Sequence, residues 1–178
     1  MDINNVLISG DVERFHQCTG MTKQRNSEHQ WGVALLVQHF DKQCRKEVIL
    51  AALTHDATEL VLGDIPAPTK WTIPEIKVLL DKAEENIEVE WGIHFKLSPV
   101  EKHLLKLCDM FEGMQYCIKR VKMGERRAAI PFKAWANHID NKFVPLTLDR
   151  YSVLSNVQRE FYNNLLNEMH QLEMNNGS

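Results

Sequence analysis

No stretch of this 178-residue sequence approaches the roughly 20 consecutive apolar residues that a membrane-spanning helix needs. The opening MDINNVLISGD also lacks the basic segment and apolar run of a secretory leader. Cysteine is sparse: Cys18, Cys44, Cys108 and Cys117 form no CxxC pair and no close knot, which excludes a disulfide framework and reads as four reduced thiols. Charge of one sign is missing as well. A net charge of −3 argues against broad, sequence-independent nucleic-acid binding, which draws on a cationic surface. These absences predict a soluble cytoplasmic protein (the host cytoplasm, if the chain is phage-encoded) with neither a nucleic acid nor a membrane as partner.

Only 8 glycines and 6 prolines occur, and they form no linker rich enough to divide the chain, so a single domain over residues 1–178 is expected. Alternating apolar and polar runs are absent too. What is present is apolar residues at helical spacing almost throughout, and this predicts an all-α bundle. Hydrophobic residues at 44% suffice for a real core at this length.

The spacing predicts a short helix over 2–9 and a second starting near Ser27 as N-cap, with Trp31, Ala34, Leu35 and Gln38 along one side. A third is expected over 46–62, stopped by Gly63, with Pro66 and Pro68 holding GDIPAPTK extended. A fourth runs from Pro74 to about Trp91, with Ile76, Leu79, Leu80, Ala83 and Ile87 inward. SPVE at 98–101 combines a serine cap, a proline at the first helical position and a glutamate at the capping-box position. The helix it opens turns Leu104, Leu107, Cys108, Phe111, Met114 and Ile118 inward, with Asp109 beside that stripe. A helical segment over 125–139 is expected to be interrupted or kinked by Pro131, and a last helix over 147–172 to bury Tyr151, Leu154, Phe161, Leu165 and Met169.

Four residues on three predicted helices sit where apolar positions give way to polar ones: His29 in NSEHQW, the adjacent His55 and Asp56 in LTHDATEL, and Asp109 in KLCDMF. Two imidazoles and two carboxylates suit zinc, manganese, iron, cobalt or nickel, and suit calcium poorly. Taken singly, a helix histidine or aspartate is usually a solvated or hydrogen-bonded boundary residue, and His16, His39, His94, His103, His138 and His170 are read that way.

Together, SEH, LTHDATEL, GDIPAPTK and KLCDMFEGM resemble the HD-domain metal-dependent phosphohydrolases. Within that family the likeness is to the bacterial 5'-deoxynucleotidases and to the short phage dATP triphosphohydrolases of phages that carry 2-aminoadenine DNA. The resemblance implies that His29, His55, Asp56 and Asp109 bind a divalent transition metal such as zinc, cobalt or manganese, with additional divalent ions accompanying the phosphates. It makes Glu59 the catalytic acid or base and gives Asp64 a part in the reaction, at the sugar oxygens or at the water; a turn-capping aspartate is the plain alternative.

Arg14 stands where the bacterial enzymes use an arginine on phosphate, and Phe15 replaces their tryptophan beside the sugar 2' position. Gln17 is placed near the base and Lys70 near phosphate oxygens. Lys119, Arg120, Lys122, Arg126 and Arg127 are either a solvated helix end or a group reaching the outer phosphates. The reaction implied is dATP to deoxyadenosine and inorganic triphosphate, with a 5'-deoxynucleotidase acting on monophosphates as one alternative and an inert helical binding module as another. The resemblance also implies a homo-oligomer, hexamer or dimer. The apolar Phe161, Tyr162 and Leu166 suggest surface in excess of one core.

Overall fold

The structure, a computed structural model, describes residues 1–142 and 154–176. Its elements are α1 (Ile3–Ser9), β1 (Glu13–Arg14), β2 (Gln24–Arg25), α2 (Asn26–Phe40), α3 (Lys46–Thr54), α4 (Glu59–Leu62), α5 (Ala67–Thr72), α6 (Pro74–Trp91), α7 (Pro99–Lys122), a 3-10 turn (Arg126–Ala128), α8 (Ala129–Lys142) and α9 (Asn156–Asn176). Among the described residues the expected all-α architecture holds apart from one antiparallel ribbon, in which Glu13 pairs with Arg25 and Arg14 with Gln24. Two residues per strand leave no periodicity to read.

α7 forms the axis of the bundle. Its start is the capping box that the sequence predicts: the Ser98 hydroxyl accepts from Glu101 N at 3.3 Å, and Ser98 N donates to Glu101 Oε2 at 2.7 Å. Leu107, Cys108, Phe111, Met114 and Ile118 are buried along it as expected, and α2, α8 and α9 pack around it. Phe111 meets Phe161 at 5.2 Å and Tyr162 at 6.0 Å between ring centroids, so α9 closes the far side of the core with aromatic contacts. Gly113 marks the close approach of α8: a Cβ there would lie 2.5 Å from the Trp135 ring.

Several expectations are corrected. Ser27 is inside α2 rather than its cap. Arg25 holds the cap position without a side-chain bond, because backbone bonds from Asn26 N to Val12 O (2.9 Å) and from Ser27 N to Gly10 O (3.1 Å) already satisfy the first donors. The buried face of α2 carries His29, Gln30, Val33, Ala34 and Val37, leaving Trp31, Leu35 and Gln38 exposed. The helix expected over 46–62 breaks at residues 55–58 into α3 and α4. Pro66 and Pro68 do not keep the chain extended, since Pro66 is the cap of α5 and Pro68 lies in its first turn, where a proline costs no intrahelical bond.

Ile76, Leu80, Ala83 and Ile87 are half-buried on α6, whereas Leu79 is exposed. Pro131 falls in the first turn of α8, so it starts that helix instead of kinking it. The last helix begins at Asn156, and Tyr151 lies outside the described residues. Tyr162 is buried, and Phe161 and Leu166 are half-buried against the core, so these three side chains are used within the chain. Among the described residues, no helix is long and apolar enough to cross a membrane.

The loop between the strands is fastened to α7. The Tyr116 hydroxyl shares its proton between Thr22 O and Lys23 O, both at 3.0 Å. Glu125 accepts from Thr22 N and Thr22 Oγ1 at 2.7 Å each, and from Arg120 Nε at 2.9 Å. The Arg120 guanidinium, followed by the Thr22 donors, holds the Glu125 carboxyl at about 2 instead of 4.5. The unfolded chain therefore binds the proton more readily. The tie stabilises the fold fully above about pH 4.5 and is lost as pH falls through about 2. Acid melting should accordingly be shallower across this window for Glu125→Gln than for the native chain, measured as Tm against pH. Parallel curves would remove this tie from the acid response.

Candidate metal centre

The break after α3 builds the centre. Thr54 Oγ1 donates back to Leu50 O at 2.9 Å, and beyond it the bonds tighten, with Ala57 N to Thr54 O at 2.9 Å and Glu59 N to Asp56 O at 3.1 Å. His55 Nδ1 donates to Ala52 O at 2.9 Å, which fixes the proton on that nitrogen and leaves the Nε2 lone pair facing inward. From α2, the fully buried His29 points its own Nε2 at the same spot, 3.2 Å from His55 Nε2. Asp109, from α7, places Oδ1 3.2 Å from His29 Nε2. Asp56 Oδ2 lies 3.6 Å from His29 Nε2 and 3.3 Å from His55 Nε2.

Ligand atoms of His29, His55 and Asp109 lie within 4.8 Å of one another, and Asp56 closes the fourth side. Lone pairs converging this closely repel unless a proton or a cation lies among them. Two nitrogens and two carboxylate groups fit a transition ion of the zinc type.

The charges answer one another. Burial and Arg14 lower the His29 imidazole, but hydrogen bonds to Asp109 and Glu112 outweigh them and leave it above its ordinary value. Burial lowers His55, with the neighbouring His29 adding to it. Burial opposes ionisation of Asp56, yet His55, Arg14 and His29 hold it below the usual carboxylate range. Asp109 is held well below that range, against burial, by Lys106 (2.6 Å from its Oδ2) and by His29.

Glu59 behaves oppositely. Burial and the Asp56 charge push it up to about 8, with Asp64 adding to the rise and the Asn26 hydrogen bond and Arg14 opposing it. Asn26 Nδ2 donates to Glu59 Oε2 at 2.8 Å and lies 3.3 Å from Asp56 O, so it sets the carboxyl one turn beyond the His-Asp pair. Gly63, at φ 76°, then turns the chain into the Asp64 loop, a conformation that other residues adopt only with strain.

The ribbon carries Arg14 into the centre. Its guanidinium pairs with Asp56 and reaches Asp109 at 3.8 Å, while its buried Nε has no hydrogen-bond partner among the described residues. Phe15, at φ 60°, is in the left-handed region that bulky residues avoid, and its ring stacks on Tyr116 at 5.5 Å and meets Trp135 edge-on at 5.8 Å. That bend turns the chain between Arg14 and His16. Asp64 Oδ2 lies 3.3 Å from His16 Nδ1. His16, read from sequence as an ordinary surface histidine, is thus joined to a candidate catalytic residue.

Lys70 is engaged by Glu84 at 3.7 Å, and Gln17 is exposed on the turn after Phe15. In the basic run, Arg120 is held by Glu125 and Lys122 pairs with Glu168, while Lys119, Arg126 and Arg127 are exposed. Sequence reasoning missed Asn26 and Glu112. Each carries a weak signal: Asn26 precedes His29 by three residues and Glu112 follows Asp109 by three, spacings that share a helix face.

Helices α2 and α7 and the α3–α4 break around a histidine and aspartate cluster define an HD-type helical bundle. The family described as 5'-deoxynucleotidase YfbR-like matches residues 10–157, and the chain belongs to that family. The dATP triphosphohydrolase of cyanophage S-2L is 31% identical over 100 residues, covering 52% of this chain and 56% of that protein. The uncharacterized protein YfdR of Escherichia coli (strain K12) is 37% identical over 65 residues, 36% of this chain and 34% of its own length. The chain thus spans little more than half the length of the first relative and about a third of the second. The solved structure of the cyanophage S-2L HD phosphohydrolase (DatZ), bound to dA and one catalytic Zn2+ ion, shares the fold. Its TM-score is 0.62 at 23% identity, over 98% of this chain and 96% of that one.

Proposed function

We propose that this protein is a metal-dependent deoxynucleotide phosphohydrolase, acting on dATP to release deoxyadenosine and inorganic triphosphate. One observation carries the reading: two inward-facing imidazole nitrogens and the Asp56 and Asp109 carboxylates converge beside a buried arginine with an unspent donor. His29, His55, Asp56 and Asp109 are the ligands in this reading. A divalent ion held there supplies Lewis-acid chemistry, lowering the pKa of water to about 7 and polarising a phosphoryl oxygen.

The chain's own residues supply the rest. Arg14 meets an α-phosphate oxygen with the donors it now turns toward Asp56 and Asp109, an exchange of one anionic partner for another. Glu59, one turn past the ligand pair, takes the proton of the attacking water. The water oxygen bonds to the α-phosphorus, the bond from phosphorus to the sugar 5' oxygen breaks, and the proton that Glu59 took from the water is returned to that leaving oxygen. Asp64, with His16 on it, stands on the loop that follows and is assigned to the sugar and its 5' oxygen. Phe15 borders the sugar, Lys70 exchanges Glu84 for phosphate, and Gln17 is assigned to the base.

The similarity of this chain to the cyanophage dATP triphosphohydrolase supports adenine and the triphosphate. The family match favours a second reading, hydrolysis of deoxynucleoside monophosphates at the same atom. Incubating the protein and zinc with each deoxynucleotide, followed by chromatography of the products, separates them. Deoxyadenosine with intact triphosphate is expected from dATP. Cleavage of dAMP alone establishes the monophosphatase, and dADP with orthophosphate overturns attack at the α-phosphorus.

A further inference from the structure

On the side of His29 away from Asp56 and Asp109, its Nδ1 bonds to the Glu112 carboxylate. The ring has no solvent contact, so water cannot substitute for that partner. An imidazole that offers a lone pair at Nε2 must keep its proton at Nδ1, and a buried Nδ1–H needs an acceptor. Where His55 uses a backbone carbonyl for this purpose, His29 uses a carboxylate from another helix.

Glu112 is itself held from two sides. Gln24, next to Arg14 across the ribbon and 1% exposed, donates Nε2 to Glu112 Oε1 at 2.8 Å. On α2, Gly32 leaves the room that Glu112 occupies: a Cβ there would lie 2.6 Å from Glu112 Cγ and 3.2 Å from Oε1. Asp109 and Glu112 stand three apart on α7, so one helix face contributes both the carboxylate at Nε2 and the carboxylate at Nδ1. A groove of about 530 Å³, lined by Gln24, Trp31, Gly32, Glu112, Tyr116 and Lys119 among others, opens on this outer side. None of the four assigned ligands lines it.

We infer that Glu112 is the positioning residue of the centre, fixing the ring and tautomer of His29 so that Nε2 presents its lone pair to the metal, with Gln24 and Gly32 holding Glu112 in place. This rests on the metal-binding reading of the previous subsection. The carboxylate also makes the imidazole a stronger donor to the ion. Partners of this kind are worth about 10- to 100-fold in metal affinity.

The test is a zinc titration of the full-length protein against a chromophoric chelator, beside the melting curve of each variant with chelator in excess. Glu112→Gln keeps shape but drops the charge and should weaken zinc binding about tenfold; Glu112→Ala should approach a hundredfold loss. Gly32→Ala keeps the carboxylate but crowds it, and should also weaken binding. If Glu112→Ala does not fold, the isosteric Glu112→Gln decides. Metal-free melting close to the native curve, with weakened zinc binding, separates positioning from a general packing role. Native protein that binds zinc stoichiometrically, with Glu112→Gln matching its affinity, overturns the role of Glu112 alone. Native protein that takes up no zinc overturns the metal reading and this role with it.

Discussion

Replacing His55 or Asp56 by alanine is expected to abolish hydrolysis and remove stoichiometric metal, while the helical circular dichroism signal stays near the native one. The two side chains sit on the break between α3 and α4, and neither belongs to the clusters around Phe111 or Val33 that hold the helices together. His55→Ala removes one of two nitrogen donors. Asp56→Ala removes the carboxylate that lies within 3.6 Å of both Nε2 atoms and leaves Arg14 without its nearest anion. The metal-dependent rise in Tm should vanish with either change. A ligand at a hundred times its Kd stabilises a fold by about 2.7 kcal/mol, so the loss is measurable by thermal melting with and without zinc. Native-like zinc content and turnover in either variant would sink the ligand assignment.

Glu59→Gln should separate chemistry from binding. The amide keeps the length of the side chain and an oxygen for the Asn26 donor, which lies 2.8 Å from Glu59 Oε2, but it cannot take a proton. Metal content and dATP affinity should persist, and turnover should fall by about 10² to 10⁴, the usual worth of general acid-base help. The residual products should still be deoxyadenosine and triphosphate, since the substitution leaves the atom under attack unchanged.

The pH profile is a second check on the same residue. Burial and the Asp56 charge raise Glu59 to about 8, so its basic form gains population as pH rises toward that value. A bound cation pulls the value down. The rising limb of the native profile should therefore fall at or below about pH 8 and be absent from Glu59→Gln. A rising limb that survives the substitution assigns the base to another group.

The residues that proved legible in advance are those whose signals are local. The capping box at Ser98 and Glu101 depends on a few neighbouring residues, and it forms as the sequence predicts. The inward stripe of α7 is readable because this helix is surrounded, so its apolar spacing has one solution. On α2 the side that carries Trp31, Ala34, Leu35 and Gln38 is not the buried one, except at Ala34. Trp31 and Leu35 are the more apolar residues, yet Trp31 is 64% exposed, because the side that meets α3 and α7 must also admit His29 and the close approach at Gly32. The tight turn at residues 55–58 was hidden for a related reason: LTHDATELVL continues a helical pattern, and a helix gives way there to a turn that aims both His55 and Asp56 at one point.

The sequence by itself determined the helical class and the strong helix start at Ser98, because these follow from neighbours within a few positions, and the residue types of the centre were legible through the resemblance of their motifs to a known family. Only the tertiary structure decided that Nε2 of His29 and Nε2 of His55 face each other, that Arg14 enters between Asp56 and Asp109, and that Glu112, Gln24, Asn26 and His16 stand behind the candidate ligands and acids. The Arg14 to Asp56 and Gln24 to Glu112 contacts join residues 42 and 88 positions apart. Contacts over such separations form only when packing brings whole helices together, and no local pattern in the chain encodes them.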